Sequence, residues 1–228
     1  MGEIVVDTKP TVEVLRTLEE KVDPRHTAIL AIDMVNDFLD PEGKTPKRAQ
    51  RPLEKARVAI APMSLVLERS REAGAQVVYI QHTTMPDGSS SSGPWIDARS
   101  RATFSVGDIC LDGTWGQEII RELTPEPGDV VIKKFRYSGF AGTRLDAYLR
   151  ARGIKTVVCM GVSTNACVEA TAREAFSLDY YVVYVADACA SWDMDLHDAT
   201  LRSAGHRYAT VCTSEELFRA WRNTGVLG

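Results

Sequence analysis

No stretch of this chain reaches the ~18 apolar residues of a membrane-spanning helix, and its first residues lack the order of a secretory leader. Val6 stands where a myristoylation signal beginning at Gly2 would need Ser or Thr. There is no basic excess either: the net charge of -4 argues against a nucleic-acid footprint. The five cysteines, Cys110, Cys159, Cys167, Cys189 and Cys212, are odd in number and contain no C-x-x-C pair. That excludes a disulfide framework and a thioredoxin-like dithiol, and predicts reduced thiols. The four histidines, His26, His82, His197 and His206, show no ligand-like spacing, so neither a metal nor another cofactor is expected. These absences leave a cytoplasmic protein whose expected partners are a small-molecule substrate and copies of itself, as a dimer or tetramer.

What is present is an alternation of apolar runs and helix-period segments with no internal repeat. Strands are predicted at 28–33, 76–81, 130–134, 156–162, 181–186 and 207–212. Helices are predicted at 11–21, 53–73, 117–123, 143–152, 166–178, 193–204 and 214–221. Such alternation means a mostly parallel sheet with helices on both faces. The chain of 228 residues is near the upper size for one core, so a single domain over 1–228 is expected. Gly74, Gly153 and Gly205 follow predicted helices, as C-terminal caps do. The irregular stretch is Thr83 to Thr103, rich in Gly, Ser and Pro. It reads as a loop at the crevice edge whose Trp95 covers a pocket, in its own chain or in a neighbouring subunit, or else as a surface loop with an exposed tryptophan.

Three residues close apolar runs. Thr27-Ala-Ile-Leu-Ala-Ile-Asp33 ends in a carboxylate, Asp129-Val-Val-Ile-Lys-Lys134 in lysines, and Thr156-Val-Val-Cys-Met-Gly-Val162 leads to Cys167 at the start of a helical segment. Parallel strands bring their carboxyl ends to one edge, where ligand crevices form. A base, a cation and a nucleophile meeting there are the parts needed for covalent acyl transfer. A cysteine at a helix N-terminus is expected to be activated, its pKa lowered by unpaired N–H groups. Each residue alone has a plainer reading, as a helix cap, a solvated strand end or a small core thiol; their joint occurrence favours chemistry.

At these positions the chain resembles the isochorismatase-like cysteine hydrolases. Ala31-Ile-Asp-Met-Val-Asn-Asp-Phe38 is similar to the family's first catalytic block, Lys134-Phe-Arg-Tyr-Ser-Gly-Phe140 with Thr143 and Leu145 to its lysine block, and Gly161 to Val168 to its cysteine block. Arg136 to Phe140, with Thr164-Asn165, Cys167-Val-Glu169 and Thr171, is most similar to the ureidoacrylate amidohydrolase branch, beside the N-carbamoylsarcosine amidohydrolases. The resemblance implies a Rossmann-like three-layer α/β/α fold with six central strands. It implies a catalytic triad of Asp33, Lys134 and Cys167, and a cis peptide at Val162-Ser163 that helps form an oxyanion hole with Cys167. The implied reaction is hydrolysis of a linear amide, a carbamoyl or ureido compound, through a thioester. A nicotinamidase-like amidase, whose zinc cluster has no matching His spacing here, and a non-catalytic interaction domain are the alternatives.

Asn36, His82, Trp115, Arg136 and Tyr137 are candidate substrate contacts, each with a packing or surface role as its alternative. A cationic Arg136 and a hydrogen-bonding Tyr137 suit a carboxylate or ureido group. Val35 departs from the resembled branch, where Gln is usual before the position of Asn36, and so does the Ser-rich loop around Ser90. Both put the tail of the substrate in question.

Overall fold

The computed structural model describes residues 13–49, 51–101 and 107–227. Six strands, β1 (Thr27–Ile32), β2 (Gln76–His82), β3 (Val130–Lys134), β4 (Thr156–Val162), β5 (Tyr181–Ala190) and β6 (Ala209–Cys212), form one sheet in the order β3-β2-β1-β4-β5-β6. Every pairing is parallel. Helices flank the sheet in a three-layer α/β/α arrangement. β1 and β4 are buried at every residue, which is why both read, after an opening Thr, as near-continuous apolar runs rather than as alternations. The chain lays β1, β2 and β3 outward in one direction, then crosses back to place β4 on the other side of β1. The reversal between β1 and β4 is the crevice-forming point of such a sheet.

Helical segments are α1 (Leu18–Lys21), α2 (Asn36–Leu39), α3 (Lys44–Ala49), α4 (Leu53–Arg57), α5 (Ile60–Glu72), α6 (Gly93–Arg101), α7 (Leu145–Arg150), α8 (Glu169–Ser177), α9 (Met194–Arg207) and α10 (Ser214–Asn223). The helix expected at 11–21 begins outside the described residues, and the described part is helical only from Leu18. Thr17 accepts the Glu20 N–H and Glu20 answers in a capping box, which fixes the start there. The helix expected at 53–73 is two helices. Pro62 has no N–H and its ring clashes with the carbonyl four residues back, so it is tolerated only in the first turn of α5.

The helix expected at 117–123 is replaced by two 3-10 turns, Trp115–Gln117 and Arg121–Leu123. Its backbone is engaged elsewhere: Glu118 O accepts the Asn36 N–H, and the Ile120 N–H donates to Met34 O. The presumed loop at 83–103 contains α6, which opens on Gly93-Pro94, where proline's missing N–H costs nothing. Gly74 and Gly153 take positive φ, whereas Gly205 lies inside α9, where an added Cβ would press Val211 at 3.3 Å. β5 runs four residues beyond its predicted end and β6 starts two residues later than predicted, because α9 continues to Arg207. All five cysteines are free and buried.

A register shift separates the two halves of the β4–β5 ladder. Between the pairs Cys159–Tyr184 and Gly161–Cys189, β4 advances two residues and β5 advances five. Within the surplus, Asp187 accepts the N–H and hydroxyl of Ser214 at the start of α10, at 2.8 and 2.5 Å.

Candidate active site

β1 delivers Asp33 by an abrupt exit from the sheet. Asp33 has φ 58, its N–H donates to Ile80 O at 2.8 Å, and its carbonyl accepts the Val35 N–H at 2.9 Å. The left-handed conformation is uncommon outside glycine and is most tolerable for Asp or Asn. Gly161 of β4 faces this exit, at φ 130, and an added Cβ there would sit 2.1 Å from Ile32 O. Only glycine lets the two central strands approach so closely at that level.

Lys134, the last residue of β3, reaches over from the edge strand. Its Nζ lies 2.8 Å from Asp33 Oδ2, with both side chains at 0% exposure. Nζ donates to the Arg136 carbonyl at 3.0 Å. Cys167, 8% exposed, interacts electrostatically with both members of the pair.

Burial is the largest single influence on all three, and it sets the direction at two of them. It pushes the Asp33 carboxyl above the usual carboxylate range, against the pull of the Lys134 ammonium. The Asp33 charge, together with Cys167, outweighs burial at Lys134 and holds its ammonium above its ordinary value. The Cys167 thiol is pushed up by burial and then by the Asp33 carboxylate, with Lys134 opposing. This corrects the expectation of a thiol activated at rest: burial and an adjacent carboxylate overcome the helix-end effect. Both influences favour the protonated thiol beside the Asp33 carboxyl.

The turn carrying Cys167 starts with a cis peptide at Val162-Ser163, as the resemblance implies. It continues as a π-type turn over Thr164–Val168 before α8, in place of the regular helix expected from Ala166. The Thr171 hydroxyl donates to Cys167 O at 2.7 Å and accepts the Gly139 N–H at 2.9 Å, tying the cysteine turn to the segment after Lys134. The Ser163 and Ser191 hydroxyls both donate to Asn165 Oδ1, at 2.6 and 2.7 Å. This fixes the amide orientation and leaves its NH₂ as the outward donor.

Cys167, Ser163, Asn165 and Ser191 open on a cavity of about 270 Å³. Val162 and Tyr137 also line it, as do Phe38, Thr45, Arg51 and Trp192, none of which the sequence reading had singled out. Tyr137 packs edge-on against Trp95 at 4.9 Å, so α6 does stand beside the site within the same chain. His82 is buried between Phe38 and Trp95, at 6.0 and 5.9 Å. Burial first, then the charges of Lys134, Arg99 and Arg136, keep it neutral, well below its ordinary pKa.

The remaining candidates are placed differently. Asn36 Nδ2 donates to Trp115 O at 2.8 Å, and Trp115 itself is half-exposed and outside the cavity lining. The Arg136 guanidinium donates to Ser90 O and Phe135 O, both at 2.7 Å, and lies 5.6 Å over Trp95. It holds the segment leading to α6 rather than lining the cavity. Among the described residues, no three His, Cys, Asp or Glu side chains gather as a metal set.

The isochorismatase domain model matches residues 27–216, from the start of β1 into α10. The chain belongs to the isochorismatase family. A ureidoacrylate amidohydrolase, RutB, of Agrobacterium fabrum is 37% identical over 174 residues, covering 72% of this chain and 76% of the relative. A cysteine hydrolase of Pseudomonas syringae superposes with a TM-score of 0.78 at 26% identity, over 93% of this chain and 99% of that one. N-carbamoylsarcosine amidase of Thermoplasma acidophilum superposes with a TM-score of 0.66 at 35% identity, over 82% and 96% of the two chains. This isochorismatase-family chain is therefore a hydrolase, carried on the family's parallel sheet.

Proposed function

We propose that the protein is a cysteine-dependent amidohydrolase that cleaves a small carbamoyl or ureido compound with release of ammonia and carbon dioxide. The observation that carries the reading is the buried Asp33–Lys134 pair set against the Cys167 thiol at the floor of a cavity sized for a small molecule. Two of the relatives are named for hydrolysing ureidoacrylate and N-carbamoylsarcosine, both carbamoyl compounds.

The steps follow from the groups present. Asp33, its proton affinity raised by burial, takes the thiol proton as the sulfur attacks the carbamoyl carbon. Lys134 beside them offsets the negative charge of the thiolate and carboxylate. The tetrahedral oxyanion is received by backbone N–H groups of the Val162-Ser163 peptide and of Cys167. Collapse breaks the C–N bond, and Asp33 returns its proton to the departing amine. A carbamoyl thioester remains on Cys167. Asp33 then deprotonates water, whose attack breaks the C–S bond; the proton passes from Asp33 to the departing sulfur, restoring the thiol, and the carbamic acid released decomposes to ammonia and carbon dioxide.

The test is ammonia release across a panel of ureidoacrylate, carbamoyl amino acids, biuret and nicotinamide. Turnover of the ureido or carbamoyl members is expected; a clear preference for nicotinamide would overturn the reading.

A further inference from the structure

Three donors gather on the cavity wall lined by the α3–α4 connection and the end of β5, and the proposed chemistry uses none of them. Arg51 is the only cation among the described residues lining the cavity. Its guanidinium lies 5.5 Å over the Trp192 ring, and partial burial lowers its pKa, a sign of lost hydration. Asp193, which lines the same cavity, acts on it in the opposite sense; that carboxylate is exposed and caps α9 by accepting the N–H groups of Asp195 and Leu196. Trp192 and Thr45 line the same cavity, and Trp192 Nε1 and Thr45 Oγ1 are each buried without a hydrogen-bond partner. A buried N–H or O–H left unpaired is costly, and buried polar atoms of this kind are normally satisfied. One indole N–H, one hydroxyl and one guanidinium, all donors and one charged, match a carboxylate, which only accepts.

We propose that Arg51, Trp192 and Thr45 form a subsite that binds a carboxylate at the end of the substrate away from the carbamoyl carbon. The inference rests on the carbamoyl reading above and adds to it that the substrate is an anion. It also moves anion recognition from Arg136, which is outside the cavity lining, to Arg51, which is part of it.

The test compares ureidoacrylate with its methyl ester, which keeps the ureido group but loses the charge. The parent enzyme is expected to favour the acid in kcat/KM. Arg51→Ala is expected to lower that acid-to-ester ratio about 10- to 100-fold, the value of a charge-assisted hydrogen bond. The loss should sit in KM, and Arg51→Lys should restore part of it. Trp192→Phe keeps a ring and removes only the N–H, so a fall in the same ratio separates hydrogen bonding from packing. Calorimetric titration of Cys167→Ala with each compound reads the preference without turnover. A ratio that survives both Arg51→Ala and Trp192→Phe, or a parent that cleaves acid and ester equally well, overturns the subsite alone. A parent that cleaves other amides but neither of these compounds overturns the carbamoyl reading, and this inference with it.

Discussion

Lys134 Nζ lies 2.8 Å from Asp33 Oδ2 with neither side chain reaching solvent, so each is the other's charge partner inside the sheet edge. Removing one strands the other in the interior, at a cost of about 3–5 kcal/mol. Asp33→Asn and Lys134→Met are each expected to lower the melting temperature, and the double variant is expected to be more stable than either. Thermal unfolding of the three proteins checks this; additive losses would mean the pair does not act as a unit.

In the proposed mechanism the same pair governs turnover. Asp33→Asn and Lys134→Ala are expected to slow hydrolysis by on the order of 10²-fold or more, the usual contribution of a general acid or base. Stopped-time ammonia assays on folded protein decide it, and a variant within a few-fold of the parent would remove that residue from the mechanism.

Cys167→Ala is expected to abolish turnover and keep the circular-dichroism spectrum, since a small side chain leaves little void. Cys159→Ala, in the middle of β4 and away from the cavity lining, is expected to retain activity. Turnover by the Cys167 variant at a rate near the parent's would exclude the thiol as nucleophile.

Alkylation of Cys167 has a pH dependence whose sign is fixed by its neighbours. Its thiol titrates above the ordinary value, so the iodoacetamide rate should still be climbing past pH 9 in the parent. The Asp33 carboxylate raises that pKa and the Lys134 ammonium lowers it. Asp33→Asn should therefore shift the alkylation profile to lower pH while turnover collapses, and Lys134→Ala should shift it to higher pH. Shifts in the opposite directions would show that the thiol is not coupled to the pair as described.

Gly161→Ala places a Cβ at 2.1 Å from Ile32 O on a residue at φ 130. A loss on the order of 3 kcal/mol or more is expected from backbone strain and overlap together. Denaturant titration reads it, and a near-neutral result would mean that β1 and β4 can separate without penalty.

The sheet was legible because β1 and β4 are buried on both faces and so are almost wholly apolar, each with a single Thr at its start. The meeting of Asp33, Lys134 and Cys167 was legible for a related reason: Asp33 and Lys134 end apolar runs, and Cys167 lies in the turn that follows one. Helix limits were less so: Pro62 divides a segment whose apolar period runs straight through it. α6 was hidden by the Gly and Ser around it, although Pro94 near its start was a usable signal. Arg51, Thr45 and Trp192 carry no local motif, because tertiary folding alone gathers them at one wall. The resting state of Cys167 was misjudged since burial, which opposes ionisation, has no signature at the position itself.

The surplus residues of β5 give its length a meaning that hydropathy does not register. Side chains alternate along a strand with period two, so deleting one residue between Val185 and Ala188 would present Ser191 and Trp192 to opposite sides from those they now occupy. The shortened segment would still look like a good strand. The expected effect is a protein that keeps its sheet but loses the hydroxyl bonded to Asn165 and the indole beside Arg51 at one stroke. In this stretch the count of residues, more than their kind, is the constraint on divergence.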